Sequence, residues 1–280
     1  MSFLKKPSTP RTLFLHVFLL PLAFLWLAPL WMMLVYSTLP DSEFYSPTTL
    51  LLPGSEFADN VRALLAVTPF TTALLNSLGI ALISAIGSGI LCCMAGYALA
   101  HFRFFGARTV IGVIVATLTV PYIVVTIPQF VMMSSVFQLS NHWAAVILPA
   151  LCNSMGVFFM RQNFLLLPKE LLDCARVEGV NEFAIFTRIA VPLVVPALTT
   201  VSIIAFLQTW NSYLWPMLML SQPETWTAPV ALGSLVGTLD RVLWGAIMAG
   251  TLLMTLPVIL VFLFLQRHIV SGVIATADVK

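Results

Sequence analysis

Residues 161–191 read RQNFLLLPKELLDCARVEGVNEFAIFTRIAV and hold eight charged side chains, in a chain of 280 residues with only 13 Lys and Arg and 11 Asp and Glu. The runs on either side, Trp143–Met160 and Pro192–Leu220, contain none. Sixty per cent of the chain is hydrophobic and 9% is charged, far from the roughly half-apolar, quarter-charged composition of soluble domains. Such a chain belongs in a bilayer. A long charged segment between two apolar runs is then a loop in water, and what it grips is the main functional question.

Working outward, six runs offer the roughly 20 apolar residues that a helix needs to cross a hydrocarbon layer of about 30 Å. They are Leu13–Ser37, Thr71–Ala100, Thr109–Val131, Trp143–Met160, Pro192–Leu220 and Val242–Gln266. Pro21, Pro29, Pro121, Pro128, Pro149 and Pro257 lie inside them. A membrane bundle tolerates these prolines because neighbouring helices re-satisfy the freed carbonyls. The expected fold is an all-α membrane protein of six transmembrane helices in one domain, 1–280, with a core of five spans over 71–266. The first run follows Lys5, Lys6 and Arg11. It is too long for a signal peptide and lacks a small-residue cleavage site, so a retained anchor is expected.

Basic residues set the orientation. Lys5, Lys6, Arg11, Arg103, Arg108, Arg161, Lys169, Arg176, Arg188, Arg267 and Lys280 fall on one side of the spans, and only Arg62 and Arg241 on the other. The positive-inside rule then places both termini and the charged loop in the cytoplasm. The largest external segment, Thr38–Phe70, is acidic. Within it Ser55 is placed to cap a helix over Glu56–Val67 with Phe57, Val61, Leu64 and Leu65 on one face. Small residues four apart, Ser84 and Ser88, Gly245 and Ala249, and Ala246 and Gly250, mark faces where helices approach closely.

Within the charged loop, Pro168 and Gly179 bracket a helix over Lys169–Glu178, since proline suits a helix start and glycine the position past its end. Asn181 caps a second helix over Glu182–Ala190, and Pro192 marks the join to the fifth span. Leu171, Leu172 and Ala175 form an apolar ridge flanked by Glu170, Asp173, Arg176 and Glu178, a pattern suited to a groove on another protein. A purely connecting loop of this length is uncommon. Four basic residues against four acidic ones leave no electrostatic footprint for nucleic acid.

Asp173-Cys174-Ala175, three residues, Gly179, nine residues, Ile189, two residues and Pro192 resembles the Glu-Ala-Ala loop of ABC importer permeases. Three positions depart from that pattern: Asp173 for Glu, Cys174 for the first Ala and Val191 for Leu. Gly96-Tyr97-Ala98-Leu99-Ala100-His101-Phe102-Arg103-Phe104, the run Phe206–Pro216, Trp244-Gly245, Leu256-Pro257, Gln266-Arg267 and Val279-Lys280 resemble the second permease of maltose-type sugar importers. The resemblance spans nearly the whole chain. It implies the type I ABC importer permease fold in a bacterial or archaeal cytoplasmic membrane. The implied partners are a homologous second permease, two cytoplasmic ABC ATPase subunits and an extracytoplasmic solute-binding protein, besides membrane lipid. It also implies ATPase coupling through Glu170, Leu171, Asp173, Cys174, Ala175, Gly179, Ile189 and Pro192, with Val279 and Lys280 as a secondary contact.

The spans themselves narrow the energy source. None of the four lysines, Lys5, Lys6, Lys169 and Lys280, stands in a phosphate-binding Gly-x4-Gly-Lys-Ser/Thr context, so the chain is not expected to hydrolyse ATP itself. The six runs contain no Asp, Glu, Lys or Arg, which argues against proton or sodium coupling through ionisable groups in the membrane. A self-sufficient carrier or channel for a neutral polar solute is the alternative. No catalytic cluster or cofactor motif occurs, and Cys92, Cys93, Cys152 and Cys174 lack metal-binding spacing. Candidates for an uncharged solute path are Gln208, Trp210, Asn211, Asn153 and Asn76, because a polar side chain in hydrocarbon needs a partner or a watery face. Interhelical hydrogen bonding answers the same need for Gln208 and Asn211.

Overall fold

A computed structural model describes the backbone of residues 9–44, 52–237 and 242–277, and the side chains of 14–44, 52–236 and 242–263. Lys5, Lys6, Arg241, Val279 and Lys280, and the side chains of Arg11 and Arg267, lie outside the described residues. The chain order is α1 (Thr9–Ser37), α2 (Phe57–Val67), α3 (Phe70–His101), α4 (Ala107–Thr117), α5 (Tyr122–Val131), α6 (Ala144–Leu151), α7 (Ser154–Leu165), α8 (Lys169–Val177), α9 (Glu182–Ile185), α10 (Val191–Leu193), α11 (Val195–Trp210), α12 (Leu214–Met219), α13 (Ala228–Gly237) and α14 (Trp244–Ala277). No strand occurs among the described residues.

Among the described residues four helices are long and apolar enough to cross a membrane by length and composition, and two bent pairs, each taken as one span, bring the number to six. The expected spans are therefore present, but not all as straight rods. The third breaks between Thr117 and Tyr122 with a bend of 105°. Pro121 is extended there and its ring disfavours helix at the residue before it. The fourth is interrupted at Cys152 and Asn153. The fifth is corrected most. Pro192 lies inside the short helix α10, an 80° bend falls between Leu193 and Val195, and the helix stops at Trp210, with α12 a separate piece.

The chain divides into two compact units, residues 1–67 with 235–255 and residues 68–234 with 256–280. In the first, the Asn60 amide of α2 donates to Ser37 O (3.0 Å) and Leu39 O (2.9 Å), satisfying carbonyls at the end of α1. Asp41 accepts from the Gly245 amide at 2.9 Å and so stabilises the positive N-terminal end of α14. Phe44 stacks on Trp244 with ring centroids 5.3 Å apart. The inward stripe of α2 is corrected by this arrangement. Asn60 and Leu64 are buried, whereas Leu65 is 49% exposed, because the inward face centres on the Asn60–Leu64 row and Leu65 turns about 140° away from Asn60. Ala246 and Ala249 are buried, and Gly245 abuts the Asn60 amide, so these small residues serve packing within the chain.

The second unit is built on α3, against which α7 and α11 pack. Its buried face runs through Ala73, Ser77, Ala81, Ser84, Ser88, Cys92 and Gly96. Small side chains at helical spacing let the partner backbones close in. At Gly96 the crossing meets backbone, where a Cβ would lie 2.7 Å from Met160 Cβ and 2.8 Å from Arg161 N. Gly156 answers from α7, its Cβ position 2.7 Å from Cys92 Sγ.

Gly96→Leu should therefore force α3 and α7 apart and lower stability by about 1–3 kcal/mol, the cost of overpacking. Gly112→Ala, inside α4 with nothing within 4 Å of the added carbon, should not destabilise and should gain up to about 1 kcal/mol of helix propensity. Thermal unfolding of the two variants in detergent, followed by monodispersity, checks the contrast.

Candidate functional site

The charged loop folds by local rules. Pro168 precedes α8, and Glu178 and Gly179 end it. Gly179 has φ +82°, a left-handed conformation that glycine adopts without steric cost. Its amide bonds Arg176 O (3.0 Å), and the next amide, of Val180, bonds Ala175 O (3.1 Å). This nested pair closes a helix with a Schellman turn. Asn181 then accepts from the Ala184 amide at 2.8 Å, as the sequence suggested. The helix it starts is shorter than expected. One α turn, Glu182–Ile185, gives way to a π turn at Phe186–Ala190, which carries Ile189, half-buried, and leads into Pro192, exposed.

The expected ridge on α8 is corrected by its burial. Leu172 is fully buried and Ala175 is 7% exposed. Both join Ile185, Ala190, Phe164, Met160 and Tyr97 in one apolar cluster, so they anchor the loop to its own helices. The outward face carries Leu171 (43% exposed), Val177 (89%) and Phe183 (74%). Glu170, Asp173, Cys174, Glu178 and Gly179 are exposed with them. The apolar surface offered to another protein is thus Leu171, Val177 and Phe183, around the Schellman turn.

Four polar side chains form a network that fastens the two halves of the loop. Arg176 Nε donates to Glu182 Oε1 at 2.5 Å, and its Nη1 to Asp173 Oδ1 at 2.7 Å. The Tyr97 hydroxyl donates to the second Glu182 oxygen at 3.1 Å, carrying the link to the end of α3. The Arg176 bond holds the Glu182 carboxyl below its ordinary value of 4.5, with Tyr97 adding to the effect. The same bond pushes the Arg176 guanidinium further up. This clip was missed in the sequence, where Arg176 and Glu182 are merely six residues apart across a turn. The exposed Phe183 directly after a capped helix start was the readable signal for the outward face.

The solute candidates separate. Asn76 is buried and its amide donates to Glu224 O and Trp226 O, both at 2.9 Å, so it pins a connecting loop. Trp210 is 2% exposed and stacks on Phe206 with centroids 5.6 Å apart. Asn153 caps α7 through a 2.8 Å bond from the Gly156 amide. Gln208 and Asn211 are exposed. With Ile204, 47% exposed, they share one helical face at the end of α11, the face that is buried nearer its start at Ala197 and Val201.

Residues 89–275 match the family described as "Binding-protein-dependent transport system inner membrane component". The chain is 32% identical over 259 residues to the arabinooligosaccharides transport system permease protein AraQ of Halalkalibacterium halodurans, covering 90% of each. It is 33% identical over 223 residues to the lactose transport system permease protein LacG of Rhizobium radiobacter, covering 80% of this chain and 81% of LacG. It is 31% identical over 269 residues to the sn-glycerol-3-phosphate transport system permease protein UgpE of Pectobacterium atrosepticum, covering 94% and 95%. The fold is similar to a chain of a bacterial ABC transporter involved in the import of the acidic polysaccharide alginate. The TM-score is 0.79 at 22% identity, over 95% of this chain and 99% of that one.

The clip gives the loop a pH dependence of known sign. A carboxyl lowered by folding contributes stability above its ordinary value, and that contribution is lost as pH falls through the lowered value. Amide exchange over residues 169–185, corrected for intrinsic rates, should stay constant from neutral pH to about 5 and rise in stronger acid. Glu182→Gln should raise it roughly threefold at neutral pH, the scale of a half-exposed ion pair, and abolish the acid step.

Proposed function

The chain belongs to the family of binding-protein-dependent transport system inner membrane components, and from that premise we propose how it works as the permease subunit of an ABC importer. It is one permease domain, 1–280, and pairs with a homologous second permease. Two ABC ATPase subunits sit on the cytoplasmic side, and an extracytoplasmic binding protein delivers the solute. Both termini and the charged loop face the cytoplasm, a reading supported by eleven basic residues on that side against two on the other. The solute is a carbohydrate or a polyol derivative. That class is supported by relatives named for arabinooligosaccharides, lactose and sn-glycerol-3-phosphate, and by the absence of Asp, Glu, Lys and Arg from the six apolar runs.

The loop is the transmission. Leu171, Val177 and Phe183, ringed by Glu170, Asp173, Cys174 and Glu178, enter a cleft on the ATPase, and Gly179 allows the turn that presents them. Ala175 and Ile189 act from inside, holding the loop against the spans, and Pro192 stands at the join to the fifth span. When the ATPases close, the push reaches α3 and α7 directly, because Leu172, Ala175 and Ile185 share one core with Tyr97, Met160 and Phe164. Close-packed interiors are stiff and transmit displacement. The spans then rock between inward-facing and outward-facing arrangements. Gln208 and Asn211 line the solute path or the contact with the second permease, while Asn153, Asn76 and Trp210 hold the wall behind them.

The observation that carries this reading is the outward apolar face beside a turn fixed by Gly179. Phe183→Asp should abolish solute-stimulated ATP hydrolysis by at least about tenfold, the order of an interface hot spot, in complexes that still insert. Gly179→Asp, strained at φ +82° but free of clash, should weaken coupling less. ATP hydrolysis by purified assemblies in nanodiscs measures both. Full stimulated hydrolysis with Phe183→Asp would remove the loop from the coupling path.

A further inference from the structure

A cavity of about 190 Å³ opens between the end of α3 and the start of α8, lined by His101, Arg103, Lys169, Leu172, Asp173 and Arg176 among others. Its charges do not cancel. Arg176 is engaged by Asp173 and Glu182. Arg103 and Lys169 have no carboxylate partner among the described residues. Lys169 is the first residue of α8, whose opening amides receive no side-chain cap, and a helix N-terminus favours an anion. The cleft therefore presents two free cations and the positive end of a helix to whatever enters it.

The surroundings specify the source of the anion. Phe104 is 45% exposed and Phe105 fully exposed, immediately after Arg103. Aromatic rings beside basic side chains suit the boundary between headgroups and acyl chains. The 32 residues of α3 extend about 48 Å at 1.5 Å per residue, beyond the roughly 30 Å hydrocarbon layer. Upright and centred, a helix of that length reaches headgroup level at its ends. Basic pockets at helix ends on the cytoplasmic side are suited to lipid phosphate.

We propose that this cleft holds the phosphate of an anionic phospholipid between Arg103 and Lys169, with the acyl chains beside Phe104 and Phe105. The leaflet, but not the chemistry, rests on the cytoplasmic orientation proposed above. A bound phosphate bridges the end of α3 and the start of α8, so it fastens the coupling loop to its span by charge at a second point besides the Arg176–Glu182–Tyr97 clip.

The probe is phosphatidylglycerol, added to phosphatidylcholine nanodiscs that contain the complete importer, with retained lipid counted by native mass spectrometry of intact complexes. The wild type should retain one phosphatidylglycerol for each copy of this chain. Arg103→Gln with Lys169→Gln should bind it roughly 25-fold more weakly, about fivefold for each basic residue at an anionic surface. Arg103→Lys with Lys169→Arg should retain it. Scoring only intact complexes, and including Arg103→Gln alone, separates lipid loss from misassembly. Unchanged retention in the double Gln variant would overturn the proposal. Displacement of the lipid by millimolar inorganic phosphate would overturn it in favour of a soluble anion. A zero-length carbodiimide cross-link from Lys169 to an ATPase carboxylate would assign the cleft to that subunit.

Discussion

Everything downstream of the charged loop depends on one packing interaction, the burial of Leu172, Ala175 and Ile185 against Tyr97, Met160 and Phe164. A loop joined to its spans only by backbone would yield when pushed. Here an apolar face is withdrawn from water into the same core that seats α3 on α7, so movement of the loop is movement of the helices. The opposite face keeps Leu171, Val177 and Phe183 in solvent. One short helix pair thus has an inner face that grips its own chain and an outer face free for another.

The stiffness of that connection continues into α3. Small residues along its buried face bring α7 and α11 close, with Gly96 and Gly156 at crossings where a Cβ would meet backbone or a packed side chain. The chain also bends. The third span turns through 105° and the fifth through 80°, and π turns occupy Met132–Val136 and Phe186–Ala190. The molecule places its closest backbone crossing, Gly96 against Met160 and Arg161, beside the loop and its sharpest bends in the third and fifth spans, as a lever needs a firm arm and defined bends.

The sequence was legible where the governing physics is local or compositional. Length of apolar run marked the spans. Gly179 and Asn181 marked the turn and the second helix start, because a left-handed residue and a side-chain cap act within a few residues. The bends were not legible from proline alone. Pro21, Pro29, Pro128, Pro149 and Pro257 sit inside helices, so Pro121 and the break at Val194 needed tertiary context. The inward face of α8 was misassigned for a related reason. An amphipathic helix declares two faces but not whether the apolar one meets its own chain or another. Asn76 could not be placed, since its partners Glu224 and Trp226 lie some 150 residues away.

Cys174 allows the central claim to be tested without altering the apolar face around it, because its thiol is free and exposed on α8. In the assembled importer, with Cys92, Cys93 and Cys152 replaced by Ser, a short bifunctional thiol reagent would be used to map the neighbours of Cys174 with and without ATP. Cross-links to an ATP-hydrolysing subunit, in a pattern that shifts with nucleotide, are the predicted result. Labelling of Cys174 that yields no cross-link to any such subunit in either state would contradict the account.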